Sequence, residues 1–389
     1  MTSQTSTGAF SLGRPSAHHA SAAGTIKAYL IGPRADSLMI GGASILVFLA
    51  FWFFVDSGAP TTNVAFMAFL LAFLVNSPHF ASSYQLLYGD YRDQIFRKKS
   101  FFWAAVLSPL LIAGLIFYGI TTFNHEVLAF LAQTMYLTVG WHYVKQIFGV
   151  SLITSAVQKR YFTVFERNVA LMNLYSVWAM SWVNTNLDTR KLDLDGIGYF
   201  SLGLPGELMT AVYAITVLTL LATIAVMVRK YIKTGVRPAT SSIVGFFTIY
   251  IWYIPAFSHP AFFYVIPFFH SLQYLLFVYT IKKNQADANA RKESSPVASR
   301  MTFVRTLFGF AALAIILGAL GFEYVPKNLD RFYRFTGMDG GFRNPTMWYF
   351  AIALFINLHH YFIDNVIWRG DNEFLKENLV KANQAKVAL

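Results

Sequence analysis

The stretch TMWYFAIALFINLHHYFIDNVI, residues 346–367, is long and apolar enough to cross a bilayer as a helix, yet it contains ionisable side chains. A helix rises about 1.5 Å per residue, so roughly 20 mostly apolar residues span the hydrocarbon core. Ionisable groups are costly in lipid, and their presence inside a transmembrane helix indicates a functional site. This stretch predicts the fold and, through His359, His360 and Asp364, the place to look for chemistry.

The whole chain is likewise rich in apolar residues and poor in charged ones. Of its 389 residues, 56% are hydrophobic, 17% are aromatic and only 13% are charged, values outside the range of soluble globular proteins. They predict an all-α, polytopic transmembrane helix bundle. The chain has no cysteine, which excludes disulfides, thiolate nucleophiles, iron–sulfur clusters and cysteine-bound zinc.

Ten apolar segments are predicted to cross the membrane. They are residues 37–55, 62–88, 101–122, 127–153, 168–186, 207–228, 241–257, 261–281, 303–321 and 346–367. Three regions follow: a disordered cytoplasmic tail over 1–36, a transmembrane helical domain over 37–367, and a cytoplasmic C-terminal tail over 368–389. The first region is rich in Ser, Ala, Thr and Gly and has too little apolar surface to form a core.

The charge pattern predicts the orientation of these segments. The net charge of +12 comes from Lys and Arg in short segments between apolar stretches, so it indicates membrane topology and not a nucleic-acid partner. Most of the 31 basic residues fall on one side if both termini are cytoplasmic, and an odd number of segments would spoil this alternation. The short loops and the lack of a secretory signal favour a bacterial inner membrane.

Five histidines lie inside four of the segments, all in the half of the membrane nearest the cytoplasm. They are His79, His142, His270, His359 and His360. The four segments all run inward, and each histidine lies roughly 12–18 Å below the inner surface at about 1.5 Å per residue. A single buried histidine is more often a packing residue than a ligand. Five at one depth favour one metal site built from these five.

Polar side chains follow the histidines by about one helical turn, on the same helical face. They are Lys145 and Gln146 after His142, Gln273 and Tyr274 after His270, and Asp364 after His360. Metal-bound imidazole usually donates its second N–H to a carboxylate, a carbonyl or water, so Asp364 is expected to orient His360.

These companions supply the other candidate site residues. Lys145, Tyr274 and Asp364 are candidate catalytic residues, since Tyr274 or Lys145 could move protons and Lys145 could pair with Asp364. Gln146, Gln273 and His359 are candidate cofactor contacts. Gln146 would orient ligands, and His359 would be a fifth ligand or a substrate contact.

Neutral imidazole is a ligand for iron, copper and zinc, and a site with at most one carboxylate does not suit calcium or magnesium. The H-E-x-x-H motif of zinc proteases is absent from the sequence. Non-haem iron is favoured, because iron with an open coordination position activates dioxygen, which partitions well into lipid. Copper, zinc and haem b are the alternatives.

In its span-rich design and in the placement of four of these histidines, the chain resembles the Brp/Blh-type membrane carotene dioxygenases. The four are His79, His142, His270 and His360. The resemblance implies iron held by intrahelical histidines, and therefore an oxygenase or related oxidoreductase that acts on a lipophilic substrate.

Two other functions stay open from the residues alone. One is a haem b protein that transfers electrons, with two histidines as axial ligands. The other is a proton-coupled transporter, with histidines, Lys145 and Asp364 as a relay. The expected partners are membrane lipid, a lipophilic small molecule and an electron donor, and no nucleic acid.

Overall fold

The computed structural model describes residues 27–56, 70–187, 191–194, 197–258, 262–263, 265–335 and 346–387. Over these residues the chain folds as an α-helical bundle with one short β-hairpin, and each of the ten predicted segments corresponds to a helix. The prediction of disorder for residues 1–26 lies outside the described residues.

The helices are numbered along the chain, and several include a π-helical turn. They are α1 (Pro33–Ser37, π-helical Leu38–Gly42, Ala43–Asp56), α2 (π-helical Ala72–Asn76, Ser77–Gln85, π-helical Leu86–Asp90), α3 (Lys99–Phe102, π-helical Trp103–Leu107, Ser108–Thr121), α4 (His125–Val157), α5 (Val164–Thr185), α6 (Gly206–Thr234), α7 (Thr240–Ser258), α8 (Ile266–Ala290), α9 (Pro296–Ala319, π-helical Leu320–Tyr324, Val325–Phe335), α10 (Met347–Ile367) and α11 (Glu373–Leu375, π-helical Lys376–Lys381, Ala382–Ala385). A short helix, Arg92–Ile95, joins α2 to α3.

The hairpin lies between α5 and α6. Strands β1 (Lys191–Leu194) and β2 (Ile197–Phe200) pair antiparallel, with Leu192 opposite Tyr199.

Among the described residues, six helical stretches are long and apolar enough to cross a membrane, so the chain is an integral membrane protein. They are Pro33–Phe53, Lys99–Thr121, Gly206–Thr234, Thr240–Phe257, Pro296–Arg334 and Met347–Ile367. The histidine-bearing helices α2, α4 and α8 are not among the six, because polar side chains interrupt their apolar sequence. The turns around their histidines are buried, so these polar groups face protein and not lipid.

The helices pack around several apolar clusters. The largest joins α4, α5 and α7, where Val144, Leu174 and Trp252 are completely buried. Helix α6 packs on α5, α9 packs on α2 and α8, and α10 lies against α2, α3 and α4. The histidine-bearing helices α2, α4, α8 and α10 are thereby held side by side.

Both ends of the described chain pack against the bundle. Leu30 near one end is buried with Leu375 and Leu379 of α11, which lie on one face of that helix at i and i+4. The Asp36 carboxylate accepts hydrogen bonds from the backbone N–H groups of the preceding turn, the shortest being 2.7 Å from Leu30. Residues 27–36 and most of the C-terminal tail are therefore ordered parts of the fold.

Candidate metal centre

Four histidines from four helices meet in the interior of the bundle. They are His79 on α2, His142 on α4, His270 on α8 and His360 on α10, and we call them the histidine ring. One ring nitrogen from each lies within 4.8 Å of those of the others. All four side chains are buried, with exposed fractions of 4% or less. The structure thus brings together four of the five histidines that the sequence places at one depth.

The four imidazoles form a closed ring. Centroid distances are 4.5 Å for His79–His360, 4.9 Å for His360–His142, 4.9 Å for His142–His270 and 5.0 Å for His270–His79, and neighbouring planes are steeply inclined. The Nε2 atoms of His142 and His270 lie 3.2 Å apart. Two nitrogens bonded at right angles to one metal ion, each at about 2.1 Å, lie about 3.0 Å apart. This spacing fits one ion inside the ring.

Local sequence positions two of these histidines. Pro78 and Pro267 occupy first-turn positions of α-helical stretches and precede His79 and His270 closely. In the first turn of α8 the missing N–H of Pro267 has no helical partner in any case, whereas Pro78 lies inside α2, where it removes one helical hydrogen bond. Behind His79, Gly318 of α9 lies so close to α2 that a Cβ on it would be 2.8 Å from the backbone carbonyl carbon of Ser77.

A serine hydroxyl fixes the tautomer of His360. The Ser83 Oγ lies 2.8 Å from Nδ1 of His360 and also donates to the backbone carbonyl of Phe80 at 2.7 Å. A hydroxyl has one proton, so Ser83 must accept from His360, whose Nδ1 therefore carries the hydrogen. The Nε2 lone pair of His360 is left free, and Nε2 has no hydrogen-bond partner within the described structure.

The same arrangement holds His79. The Ser271 Oγ lies 3.1 Å from Nδ1 of His79 and donates to the side-chain oxygen of Asn76 at 2.7 Å. Nδ1 of His79 is therefore the donor, and its buried Nε2 is free and unpartnered among the residues described. Such second hydrogen bonds orient metal-binding imidazoles and set their tautomer. Both histidines thus keep a free Nε2 lone pair.

Asp364 does not occupy the position predicted for it. Its Oδ2 lies 3.3 Å from Nε2 of His360 and 3.7 Å from Nε2 of His142, while Oδ1 accepts from the Tyr274 hydroxyl at 3.1 Å. The carboxylate thus faces the inner nitrogen of His360, and Ser83 takes the outer one. The difference arises because a residue at i+4 shares its face with the histidine and so reaches the same interior space. The Asp364 carboxylate therefore lies on the inner side of the histidine ring and does not contact the outer nitrogen of His360.

His359 lies apart from the histidine ring. Its Nδ1 is 2.9 Å from the Tyr84 hydroxyl, and its Nε2 donates to the backbone carbonyl of Ala104 at 2.9 Å. Adjacent residues on a helix point about 100° apart, so His359 faces α2 and α3 while His360 faces the ring. Both nitrogens of His359 are engaged, and we leave it out of the ligand set.

Gln146 and Gln273 donate hydrogen bonds to backbone carbonyl groups. The Gln146 amide donates to the backbone carbonyl of His270 at 2.9 Å and to the side-chain oxygen of Gln273 at 2.8 Å. Gln273 in turn donates to the carbonyl of Ile40. This chain of hydrogen bonds ties α4, α8 and α1 together beside the ring. It fixes the backbone at His270 and does not contact an imidazole nitrogen.

Lys145 and Asp364 line one cavity of about 100 Å³, together with His142, Tyr274 and Gln146. In the part of the chain that the structure describes, they form no ion pair with each other. The Lys145 ammonium lies 5.7 Å from the centroid of the Phe148 ring. The expected Lys145–Asp364 pair is therefore not formed, and the partner of Asp364 is Tyr274.

The residues missed by sequence reasoning are Ser83, Ser271 and Asn76. The sequence contains only part of the signal, since Ser83 follows His79 by one helical turn. In the structure it serves His360 on another helix. Which helix a hydroxyl faces depends on how the helices pack, and sequence spacing does not contain that information.

The geometry of the histidine ring is the principal observation bearing on function. Comparisons of the chain with models of known families, with curated proteins and with solved structures find no match.

Proposed function

We propose that the histidine ring binds one transition-metal ion and that the protein is a membrane metalloenzyme, a non-haem iron oxygenase or related oxidoreductase acting on a lipophilic substrate. The observation that carries this proposal is the convergence of four buried ring nitrogens within 4.8 Å. Buried nitrogens without partners are costly, and Nε2 of His79 and of His360 are such atoms within the described residues. A metal ion would satisfy both at once.

Iron is the metal we favour. Neutral imidazole binds iron, copper and zinc, and the carboxylate of Asp364 adds the oxygen ligand that iron sites often include. When bound with an open coordination position, iron supplies the activation of dioxygen. Copper and zinc fit the same nitrogens and are separated from iron by the experiment below.

The residues around the ring have definite tasks in this proposal. The four histidines hold the ion, and Ser83 and Ser271 keep two of them in the binding tautomer. The Tyr274 hydroxyl donates to Oδ1 of Asp364, so this pair can hold or pass a proton next to the ring.

The alternatives are supported less well. Two axial imidazole nitrogens on opposite sides of a haem iron lie about 4 Å apart, at about 2 Å each, with the macrocycle between them. The 3.2 Å separation of His142 and His270 is too short for that, and the other two imidazoles close the ring. A transporter relay is supported only by the place of Lys145 and Asp364 in one cavity, where they form no ion pair.

We place the protein in a bacterial inner membrane with the ring nearer the cytoplasmic face, in agreement with the charge pattern. Dioxygen and a lipophilic substrate would reach it from the bilayer, and an electron donor would serve any reaction that consumes external electrons.

The test of the iron assignment is reconstitution in detergent. Metal-free protein is loaded anaerobically with ferrous iron and exposed to nitric oxide, which gives a high-spin ferrous–nitrosyl EPR signal only where iron has an open position. We expect this signal in the natural protein and its loss in the His270→Ala variant. Binding of zinc or copper without iron would contradict the iron assignment, and a Soret band would replace it with haem.

A further inference from the structure

A narrow cavity runs from the histidine ring toward the end of the bundle that is predicted to be cytoplasmic. Its volume is about 100 Å³, and its lining on α4 extends from Trp141 to Ile153. Those twelve steps along a helix cover about 18 Å at about 1.5 Å per residue. A cavity of this length matches an extended aliphatic chain.

The two ends of the cavity differ in chemistry. Next to the ring the lining includes His142, Lys145 and Asp364, whereas further along α4 it consists of apolar side chains, and Arg369, which is ion-paired with Asp371 at 3.5 Å, lines it beyond the end of α10. Val150 and Ile153, with Phe277 from α8, make up that apolar part. Such a surface binds an apolar chain through the hydrophobic effect.

Lys145 places a cation at the polar end, one helical turn from His142. Within the described residues no carboxylate lies at ion-pair distance from its ammonium, and its closest described partner is the Phe148 ring at 5.7 Å. The charge of Asp364 is directed elsewhere, with Oδ1 on Tyr274 and Oδ2 toward the histidine ring. An ammonium that forms no ion pair in a largely apolar cavity is unfavourable, so the cavity suits a ligand that brings an anion.

We propose that the substrate is a straight-chain aliphatic carboxylate, bound with its carboxylate on Lys145 and its chain along Val150, Ile153 and Phe277. This orientation places the carboxylate end, and not the distal methyl group, next to the histidine ring. That the acid is a substrate rests on the proposed function, whereas its binding does not require a metal.

The test measures binding of radiolabelled dodecanoate to the full chain in nanodiscs of neutral phosphatidylcholine, with metal chelated and with iron loaded. Dodecanol and dodecyltrimethylammonium have the same chain with a neutral or a cationic head. Lys145→Gln removes the charge and Lys145→Arg keeps it. Lys233→Gln, an exposed lysine at the end of α6, is the matched control for unspecific attraction to the membrane surface. Thermal melting confirms that each variant is folded.

We expect saturable dodecanoate binding with metal chelated and with iron loaded. Binding of dodecanol to the natural protein, and of dodecanoate to Lys145→Gln, should be at least about tenfold weaker, because a charge-assisted hydrogen bond is lost. Lys145→Arg and Lys233→Gln should stay within about threefold of the natural protein. Equal binding of acid and alcohol, or no effect of Lys145→Gln, would overturn the inference. So would displacement of dodecanoate by phosphatidylglycerol, since the anion would then belong to a phospholipid.

The outcome separates this inference from the metal assignment. Lys145-dependent binding in a protein that takes up no metal would support the acid site and contradict the metalloenzyme. Metal binding without any preference for the acid would support the metalloenzyme and contradict the acid site.

Discussion

The Nε2 atoms of His142 and His270 lie 3.2 Å apart, although 128 residues separate the two histidines along the chain. Their hydrogen bond would leave Nε2 of both His79 and His360 without a partner in the described structure. One metal ion can use the lone pairs of all four. The hydrogen bonds that Nδ1 of His360 and of His79 donate to Ser83 and Ser271 already select the tautomer that such an ion needs.

Removing either hydroxyl should weaken metal binding. In Ser83→Ala and Ser271→Ala the histidine loses the acceptor that fixes its Nδ1–H, and we expect metal affinity to fall by about 10–100-fold. The measurement is competition for iron or zinc against a chelator of known affinity.

Ser82→Ala is the control for these two variants. Ser82 is as buried as Ser83 and lies on the same helix, but its hydroxyl donates to the backbone carbonyl of Pro78 at 2.8 Å and contacts no histidine. Its metal affinity should stay near that of the natural protein. Equal losses in all three variants would mean that the serines act through helix stability alone.

Asp364→Asn separates a ligand role for the carboxylate from a packing role. The substitution keeps the shape of the side chain and removes the charge that faces Nε2 of His360 at 3.3 Å. We expect metal affinity to fall by about tenfold or more. Tyr274→Phe removes only the hydroxyl on the far carboxylate oxygen and should leave metal content unchanged. An Asp364→Asn protein that binds metal as tightly as the natural one would show that the carboxylate is not a ligand.

Gly318→Ala should disturb the packing of α9 against α2, the helix that carries His79. The new methyl group would meet the backbone of Ser77 at 2.8 Å, and backbone cannot move aside as a flexible side chain can. We expect a stability loss of about 1–3 kcal/mol together with reduced metal occupancy, because α2 carries His79 two residues further on. Melting temperature and metal content, measured together, check this.

Gly309→Ala on the same helix is its control, since a Cβ there has no neighbour within 4 Å. That variant should differ from the natural protein by no more than about 0.5 kcal/mol. If both glycine variants behave alike, close packing of α9 on α2 does not support the site.

Much of the fold follows from the sequence because membrane helices must satisfy their backbone internally and be apolar over a fixed length. Helices form at all ten predicted segments, and six of the described helical stretches meet that rule of length and apolarity. The rule does not predict the docking of residues 27–36 or of α11. Their stability comes from a few apolar side chains, such as Leu30 and Leu375, that meet only after the bundle has formed.

The sequence predicts how deep in the membrane the site residues lie, but not the direction in which each side chain points. Four inward-running helices with histidines at one depth predicted the convergence of His79, His142, His270 and His360. Rotation of each helix about its axis decides the rest. This rotation points His359 toward Tyr84 and brings Ser83 within hydrogen-bond distance of His360. Neither contact can be read from the spacing of residues along one helix.

The most direct test is metal analysis with an absorption spectrum on purified protein, beside the His142→Ala/His270→Ala double variant. The account predicts about one iron per folded chain, no Soret band, and loss of the metal in the double variant. A folded natural protein with no metal after reconstitution, or with equal metal in the double variant, would contradict the metal centre.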